Sequence, residues 1–337
     1  MTEKGFLTSF SNVKRLGSGM YGDVYSGEEK DTGKKVAIKR MREPAGGGGE
    51  GGVGVDEEAH LKKACVTEIK ILKHLAGHDN ILSIQRSQDD FIVLELMQHD
   101  LRGLLNSKEH LFFSHAQVKG YLHQALKGVS WIHARGVIHR DLKPDNILIS
   151  FGNIVKIADF GMACYFDPNK SMNTVVCASW YRAPELFLGC SRYGYEIDVW
   201  SMGCIIGEMV ADTPLLNRHN EEEQVDAIWR LLGTPCENGW PDASKTKGWE
   251  KHKPKETIQR NLLNAFQSFN KTSRKMWFTK ELLSLLDQML SFNPKSRITS
   301  TKVLTHPYWL EEYPKPHTPA LLPKYKDSYL GGMTKKA

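Results

Sequence analysis

The chain has 337 residues, 40% of them hydrophobic and 25% charged, a globular composition with enough apolar mass for a sizeable core and too long for one small domain. A formal net charge of +6 is too mild to argue for nucleic acid or a membrane surface, and no apolar run is long enough for a membrane span or an N-terminal signal peptide. Cys65, Cys164, Cys177, Cys190, Cys204 and Cys236 form neither a Cys-x-x-Cys pair nor a zinc spacing, which points to reduced thiols in a nuclear or cytosolic protein.

Over residues 10–40, Val13, Leu16, Val24, Tyr25, Val36 and Ile38 are spaced among polar residues and turn signals, the pattern of antiparallel strands. Gly17-Ser18-Gly19-Met20-Tyr21-Gly22-Asp23-Val24 falls between two of them. A dinucleotide-binding turn has the same three glycines but opens a helix; here Asp23-Val24-Tyr25 continues as strand, which suits a lid over ATP phosphates. On the next strand, Val36-Ala37-Ile38-Lys39, the lysine reads either as a polar residue in alternation or as a group that reaches the α- and β-phosphates when a carboxylate holds it. The glycine-rich run 46–54 is an insertion expected to form a flexible loop, with a partner-contacting arm as its functional alternative. Asp56 then reads as the cap of a helix carrying Leu61, Cys65, Ile69 and Leu72 at helical spacing. Glu68, near its middle, is the candidate partner of Lys39.

Residues 91–94 read as an apolar strand ending in a hinge. Leu94 is expected to face the back of a nucleotide site, and the backbone from Glu95 to Met97 to meet an adenine edge. Ser114 caps a helix in which Val118, Leu122, Ala125, Val129 and Ile132 recur every three or four residues, and Gly136 ends it. Next comes His139-Arg140-Asp141-Leu142-Lys143-Pro144-Asp145-Asn146, followed after a strand-like stretch by Asp159-Phe160-Gly161. A carboxylate at Asp141 is placed to orient a hydroxyl, Lys143 to meet a phosphate, and Asn146 and Asp159 to hold Mg²⁺ from two sides. An isolated triplet of this kind is a surface turn; the complete string in order is what carries specificity. The loop 162–182 closes at Ala183-Pro184-Glu185. Residues 197–210 have little polar surface and read as a buried helix, in which Asp198 is expected to tie down the catalytic-loop backbone, with Arg297 pairing to Glu185. The tail 311–337 is rich in proline and lysine and reads as irregular.

The succession of glycine lid, Val-Ala-Ile-Lys, helix glutamate, His-Arg-Asp, Asp-Phe-Gly and Ala-Pro-Glu over residues 10–309 resembles the eukaryotic protein kinases. Trp180-Tyr181-Arg182 narrows the resemblance to the group holding cyclin-dependent and MAP kinases. Met97-Gln98-His99-Asp100-Leu101 and Leu232-Gly233-Thr234-Pro235 look like the cyclin-dependent branch. The insertion and Thr67-Glu68-Ile69-Lys70-Ile71-Leu72 resemble its transcription-linked, activating members. Thr174 is followed by Val175 and Val176, so the Thr-x-Tyr pair of MAP kinases is missing.

This resemblance implies an α+β, two-lobed protein kinase fold, with a small antiparallel β-sheet lobe carrying one main helix at 1–96, a larger mostly helical lobe at 97–310, and ATP between them. It implies catalytic roles for Asp141, Lys143, Lys39 and Glu68. The nucleotide would be lined by Gly17, Gly19, Gly22, Val24, Ala37, Lys39, Leu94, Glu95, Met97 and Leu148, with Mg²⁺ on Asn146 and Asp159. The expected reaction is transfer of the ATP γ-phosphate to protein Ser or Thr, with a cyclin-like activating subunit as partner. Arg182 resembles the group's arginine that turns the Cys177 carbonyl away from the substrate, which implies proline after the phosphoacceptor. A MAP-kinase-like enzyme active without a cyclin and a catalytically weak scaffold are the alternatives, and the filled catalytic positions argue against the scaffold.

Three departures matter. Relatives gather three arginines around an activation-loop phosphothreonine; those positions here read Thr67, Arg140 and Cys164, and the phosphoacceptor position falls on Asn173, with Thr174 beside it. Phosphorylation there is therefore expected to be dispensable or to act weakly through Thr174. Ala178 replaces a threonine that bridges the catalytic aspartate and lysine. Met20 replaces a phosphorylatable threonine on the lid, leaving Tyr21 for inhibitory phosphorylation.

Overall fold

The alternating stretch near the N-terminus folds as β1 (Phe10–Ser18), β2 (Gly22–Glu29) and β3 (Lys35–Met41), which join β4 (Ile84–Gln88) and β5 (Phe91–Glu95) in an antiparallel sheet of order β1-β2-β3-β5-β4. The computed structural model describes residues 9–18, 22–41, 54–88, 91–107, 113–262, 264–266, 278–325, 328 and 330. Gly19, Met20, Tyr21 and the insertion up to Val53 lie outside them. The chain divides into two compact units: Met1–His110 with Pro144–Cys164 and Pro323–Ala337, and Leu111–Lys143 with Tyr165–Leu322.

In the first unit, strand alternation sorts the sheet into two faces. Val36 and Ile38 join Phe10, Phe91 and Val93 in an apolar cluster completed by Val13 and Tyr25, each such side chain contributing about 1.5–3 kcal/mol when fully buried. Ala37 and Lys39 therefore belong to the opposite face. The register pairs Val24 with Lys39 and Ala37 with Leu94, and directly paired residues share a face, so these four stand together. Helix α1 (Gly54–Leu75) begins before Asp56. Asp56 thus lies in the first turn rather than at the cap, a place where acidic residues are favoured equally by the helix dipole. A second sheet joins β6 (His99–Asp100), β7 (Ile147–Ile149) and β8 (Val155–Ile157), and Asp100 caps the short helix α2 (Leu101–Asn106) by accepting from the Gly103 amide at 2.6 Å.

The second unit is helical. Ser114 and Gln117 form a capping box at the start of α3 (His115–Ala134), satisfying two amides that a helix start leaves unpaired; Gly136, at φ +74°, ends it. Helix α4 (Glu196–Ala211) is buried at every residue from Ile197 to Ala211 and packs against α3 and α6 (Lys280–Met289); α5 (Glu221–Leu232) lies between them in sequence. Fully buried Arg297 donates to both Glu185 oxygens, at 2.6 and 3.0 Å, and to the carbonyls of Glu196 and Ser291, so its charge is paired rather than stranded. Irregular though it is, the chain at residues 312–317 is held in place: the His317 amide donates to Ala116 O at 2.9 Å, and buried Lys119 reaches Glu312 at 3.3 Å. Gly120 makes this passage possible, because a Cβ there would come within 2.6 Å of the His317 carbonyl oxygen.

Candidate active site

Strand β3 and helix α1 meet at one ion pair. Lys39 Nζ lies 2.8 Å from both Glu68 oxygens and 3.0 Å from Asp159 Oδ1. Burial disfavours the ammonium, but Asp159 and Glu68 outweigh it and raise the Lys39 pKa. Burial also pushes the Glu68 carboxyl up, against the pull of Lys39 and of the Phe160 amide, which donates to it. The result is a lysine held charged and fixed in direction, with the more exposed Asp159, at 38%, as its third member.

Asp159 owes its position to a hairpin. The β7–β8 register pairs Ile147 with Ile157, so the residues just beyond, Asn146 and Ala158, face one another; the Ala158 amide donates to Asn146 O at 2.9 Å. Asn146, buried, and Asp159, at φ +60°, thereby emerge at the same end of the hairpin. An amide oxygen and a carboxylate form a hard oxygen donor set, which fits a divalent cation such as Mg²⁺ that keeps water or phosphate for its other positions. On the nucleotide-lining positions, Gly17 is the penultimate residue of β1 and Gly22 opens β2. Val24, Ala37 and Leu94 share the face of Lys39. Leu148 is buried on β7, paired with Lys156. The Glu95 side chain is taken up by the Ser83 amide at 2.7 Å and Lys156 at 3.0 Å, which leaves backbone as what it can offer a ligand; Met97 is buried.

In the second unit, Lys143 Nζ donates to Asp141 Oδ2 at 2.7 Å and the Ala178 amide donates to Asp141 Oδ1 at 3.2 Å. Where a threonine hydroxyl is missing, backbone supplies one restraint on the aspartate. The loop itself is pinned from below. Asp198 accepts from the amides of His139 at 2.8 Å and Arg140 at 2.9 Å, and stands 2.9 Å from His133 Nε2. Burial alone would raise its pKa, but His133, His139 and these hydrogen bonds hold it below the ordinary carboxylate value. Arg140 sits at φ +66°, a left-handed conformation that costs a non-glycine residue free energy and persists because the surroundings over-determine it.

Beside this loop, Cys177 is also left-handed, at φ +62°. Arg182 explains it: its Nε donates to Val176 O at 2.8 Å and its Nη2 to Cys177 O at 3.0 Å. Burial pushes the Cys177 thiol well above the usual value, so it is neutral and unreactive. Thr174 is half-buried. Arg140 Nη1 lies 3.2 Å from the Tyr193 hydroxyl. The contacts of Tyr193 with Arg140 and of the Ala178 amide with Asp141 are ones that sequence reasoning missed, the first because an isolated tyrosine after a loop carries no signal of its own, the second because backbone groups have no letter.

Residues 10–309 match the family model described as the protein kinase domain. Cyclin-dependent kinase 12 of Caenorhabditis elegans is 35% identical over 96% of this chain and 44% of its own length, whereas cyclin-dependent kinase 11 of Dictyostelium discoideum is 34% identical over 95% of this chain and 85% of its own. The chain spans about half the length of the first of the curated relatives it matches. Among solved structures it is similar to a chain of the CAK complex from Chaetomium thermophilum bound to ATP-gamma-S, with a TM-score of 0.80 and 33% identity, covering 96% of this chain and 97% of that one. It is also similar to a chain of the yeast RNA Pol II CTD kinase complex, with a TM-score of 0.76 and 30% identity, covering 91% and 96%.

Proposed function

Because this chain belongs to the protein kinase family, among its cyclin-dependent kinases of the transcription-linked branch, we propose that it transfers the γ-phosphoryl group of ATP to Ser or Thr hydroxyls followed by proline, as the catalytic subunit of a complex with a cyclin-like partner. The observation that carries this reading is the buried Lys39–Glu68 pair with Asp159, a charge arrangement with no use in a scaffold. Lys39 meets the α- and β-phosphates while Glu68 keeps its ammonium from swinging away. Mg²⁺, held by Asn146 and Asp159, would neutralise phosphate charge as it develops. Asp141, aimed by Lys143 and the Ala178 amide, orients the substrate hydroxyl and takes its proton late, and Lys143 stabilises charge on the transferring group.

Support for proline direction comes from Arg182. With the Val176 and Cys177 carbonyls committed to its guanidinium, a substrate residue after the phosphoacceptor loses an acceptor for its amide, at a cost of about 1–3 kcal/mol, unless it is proline and has no amide. The likeness to the yeast RNA Pol II CTD kinase makes a repeat peptide of that domain the natural first substrate. The likeness to a CAK complex supports assay with a cyclin. The test is radiolabelled transfer from ATP to Ser-Pro and Ser-Ala peptides by wild type and Asp159→Asn, with the chain alone and with candidate cyclins. Label that is equal for wild type and Asp159→Asn sinks the enzyme reading. Equal labelling of the two peptides sinks proline direction alone.

A further inference from the structure

The segment from Met172 to Ala178 lacks the arginine cluster that would order it around a phosphate, yet it is tied down along its length. The Met172 amide donates to Ser191 O at 2.7 Å, the Cys177 amide to Arg140 O at 3.0 Å, and the Ala178 amide to Asp141 Oδ1. Between these, the Tyr193 hydroxyl donates to the carbonyl oxygen of Asn173 at 2.5 Å and accepts from Arg140 Nη1 at 3.2 Å. The polarity runs one way, from guanidinium N–H to phenol oxygen and from phenol O–H to carbonyl, so the cation strengthens the second bond. Tyr193 itself is 4% exposed, between a half-buried Arg140 and an exposed Asn173. Asn173, the residue it reaches, occupies the place where the sequence would put a phosphoacceptor, and the Asn173 side chain closes a local turn by accepting from the Val175 amide at 2.9 Å.

We infer that Tyr193 is a positioning residue that does uncharged what a phosphothreonine would do charged: it couples the guanidinium of Arg140 to the Asn173 backbone and so presents Val176–Ala178 to the substrate without modification of the segment. Resting on the kinase reading, the inference concerns order in this segment, and it can be tested apart from activity. Arg140 thereby has a use. Its side chain engages the segment through a phenol that is already part of the fold, and its backbone is the part Asp198 holds. Thr174, next to the contact, is not needed for it.

Tyr193→Phe removes one oxygen and keeps the ring, so the fold is retained and a thermal melt verifies it. Amide hydrogen exchange over residues 172–178 is measured on the phosphatase-treated full chain for wild type, Tyr193→Phe, Arg140→Gln and the double variant. The relay predicts exchange roughly tenfold faster in each single variant, the size of losing a hydrogen bond to a charged group, and no further gain in the double variant, because both act through one connection. With peptide substrate, Tyr193→Phe should raise the peptide KM or lower kcat about tenfold while the ATP KM stays put, and phosphatase treatment should leave wild type unchanged. Wild-type exchange in Tyr193→Phe, additive effects in the double variant, or loss of wild-type activity on dephosphorylation each overturns the inference. A wild type that exchanges as predicted but labels no peptide instead refutes the kinase reading.

Discussion

Replacing Asp198 by asparagine keeps the shape of the side chain and removes its charge, at a site that is 0% exposed. The carboxylate receives two backbone amides and one imidazole nitrogen, all at 2.8–2.9 Å. An asparagine has one acceptor end and one donor end. If its oxygen faces Arg140, its NH₂ opposes the His139 amide; if its oxygen faces His139, it opposes the Arg140 amide. Either way one charge-assisted bond, about 1.5–3 kcal/mol, is lost, and a buried donor is left unsatisfied at about 1–3 kcal/mol. The expected destabilisation is therefore about 3–5 kcal/mol, a fall in melting temperature of roughly 6–20 °C for a unit of this size, read by scanning calorimetry on the phosphatase-treated chain. Activity should fall at least about tenfold in kcat, since the left-handed Arg140 relaxes and carries Asp141 with it. The difference between wild type and variant also depends on pH. The folded pKa of Asp198 is depressed below its ordinary 3.8, so the contribution is complete above that value and is lost as pH falls through the folded pKa. A melting temperature within about 3 °C of wild type at pH 7 would show that the carboxylate does not hold the loop.

Lys39→Met should abolish phosphoryl transfer and, by leaving Glu68 buried without its partner, cost about 3–5 kcal/mol in urea unfolding; an unchanged midpoint would mean the pair is solvated in solution. Ala178→Thr adds a hydroxyl near Asp141 and Lys143 and should raise kcat a few-fold, roughly two- to tenfold, at constant ATP KM, as expected of one more neutral hydrogen bond; a fall in kcat would show that the Ala178 amide already sets the geometry. Arg182→Ala frees the Cys177 carbonyl, so the preference for Ser-Pro over Ser-Ala peptides should shrink about tenfold, and a preference left intact would place its origin elsewhere.

What the sequence made legible was local and periodic. Ser114 and Gln117 announce a helix start because capping is a matter of neighbouring letters, and α4 could be read as buried because it lacks a polar stripe. Lys39, Glu68, Asp141, Asn146 and Asp159 were named by the fixed order of short strings. Missed were groups whose role depends on distance in the fold rather than in the chain. Tyr193 lies 53 residues from Arg140 and looks like any core aromatic. At residue 178 the letters show only that a hydroxyl is absent; that the backbone amide there meets Asp141 depends on the fold. The helix start was placed three residues late for the opposite reason: Asp56 is a good cap, but a good first-turn residue as well, and local preference alone does not separate the two.

The departures around the catalytic loop form one pattern. At each, a modifiable or hydroxyl-bearing side chain is absent and a group that is always present remains: the backbone amide at Ala178, the phenol relay at Asn173. A phosphate of about −2 charge can be added and removed, and its hold weakens with salt, while a relay from a guanidinium through a buried phenol to a backbone carbonyl is a permanent part of the fold and brings no exposed anion for salt to screen. Segment order in this protein should then be set by folding alone. Raising sodium chloride from 0.05 to about 0.5 M separates the cases. Exchange over residues 172–178 should stay constant in wild type, and a steep salt-dependent loss of protection would show that exposed charge orders the segment after all.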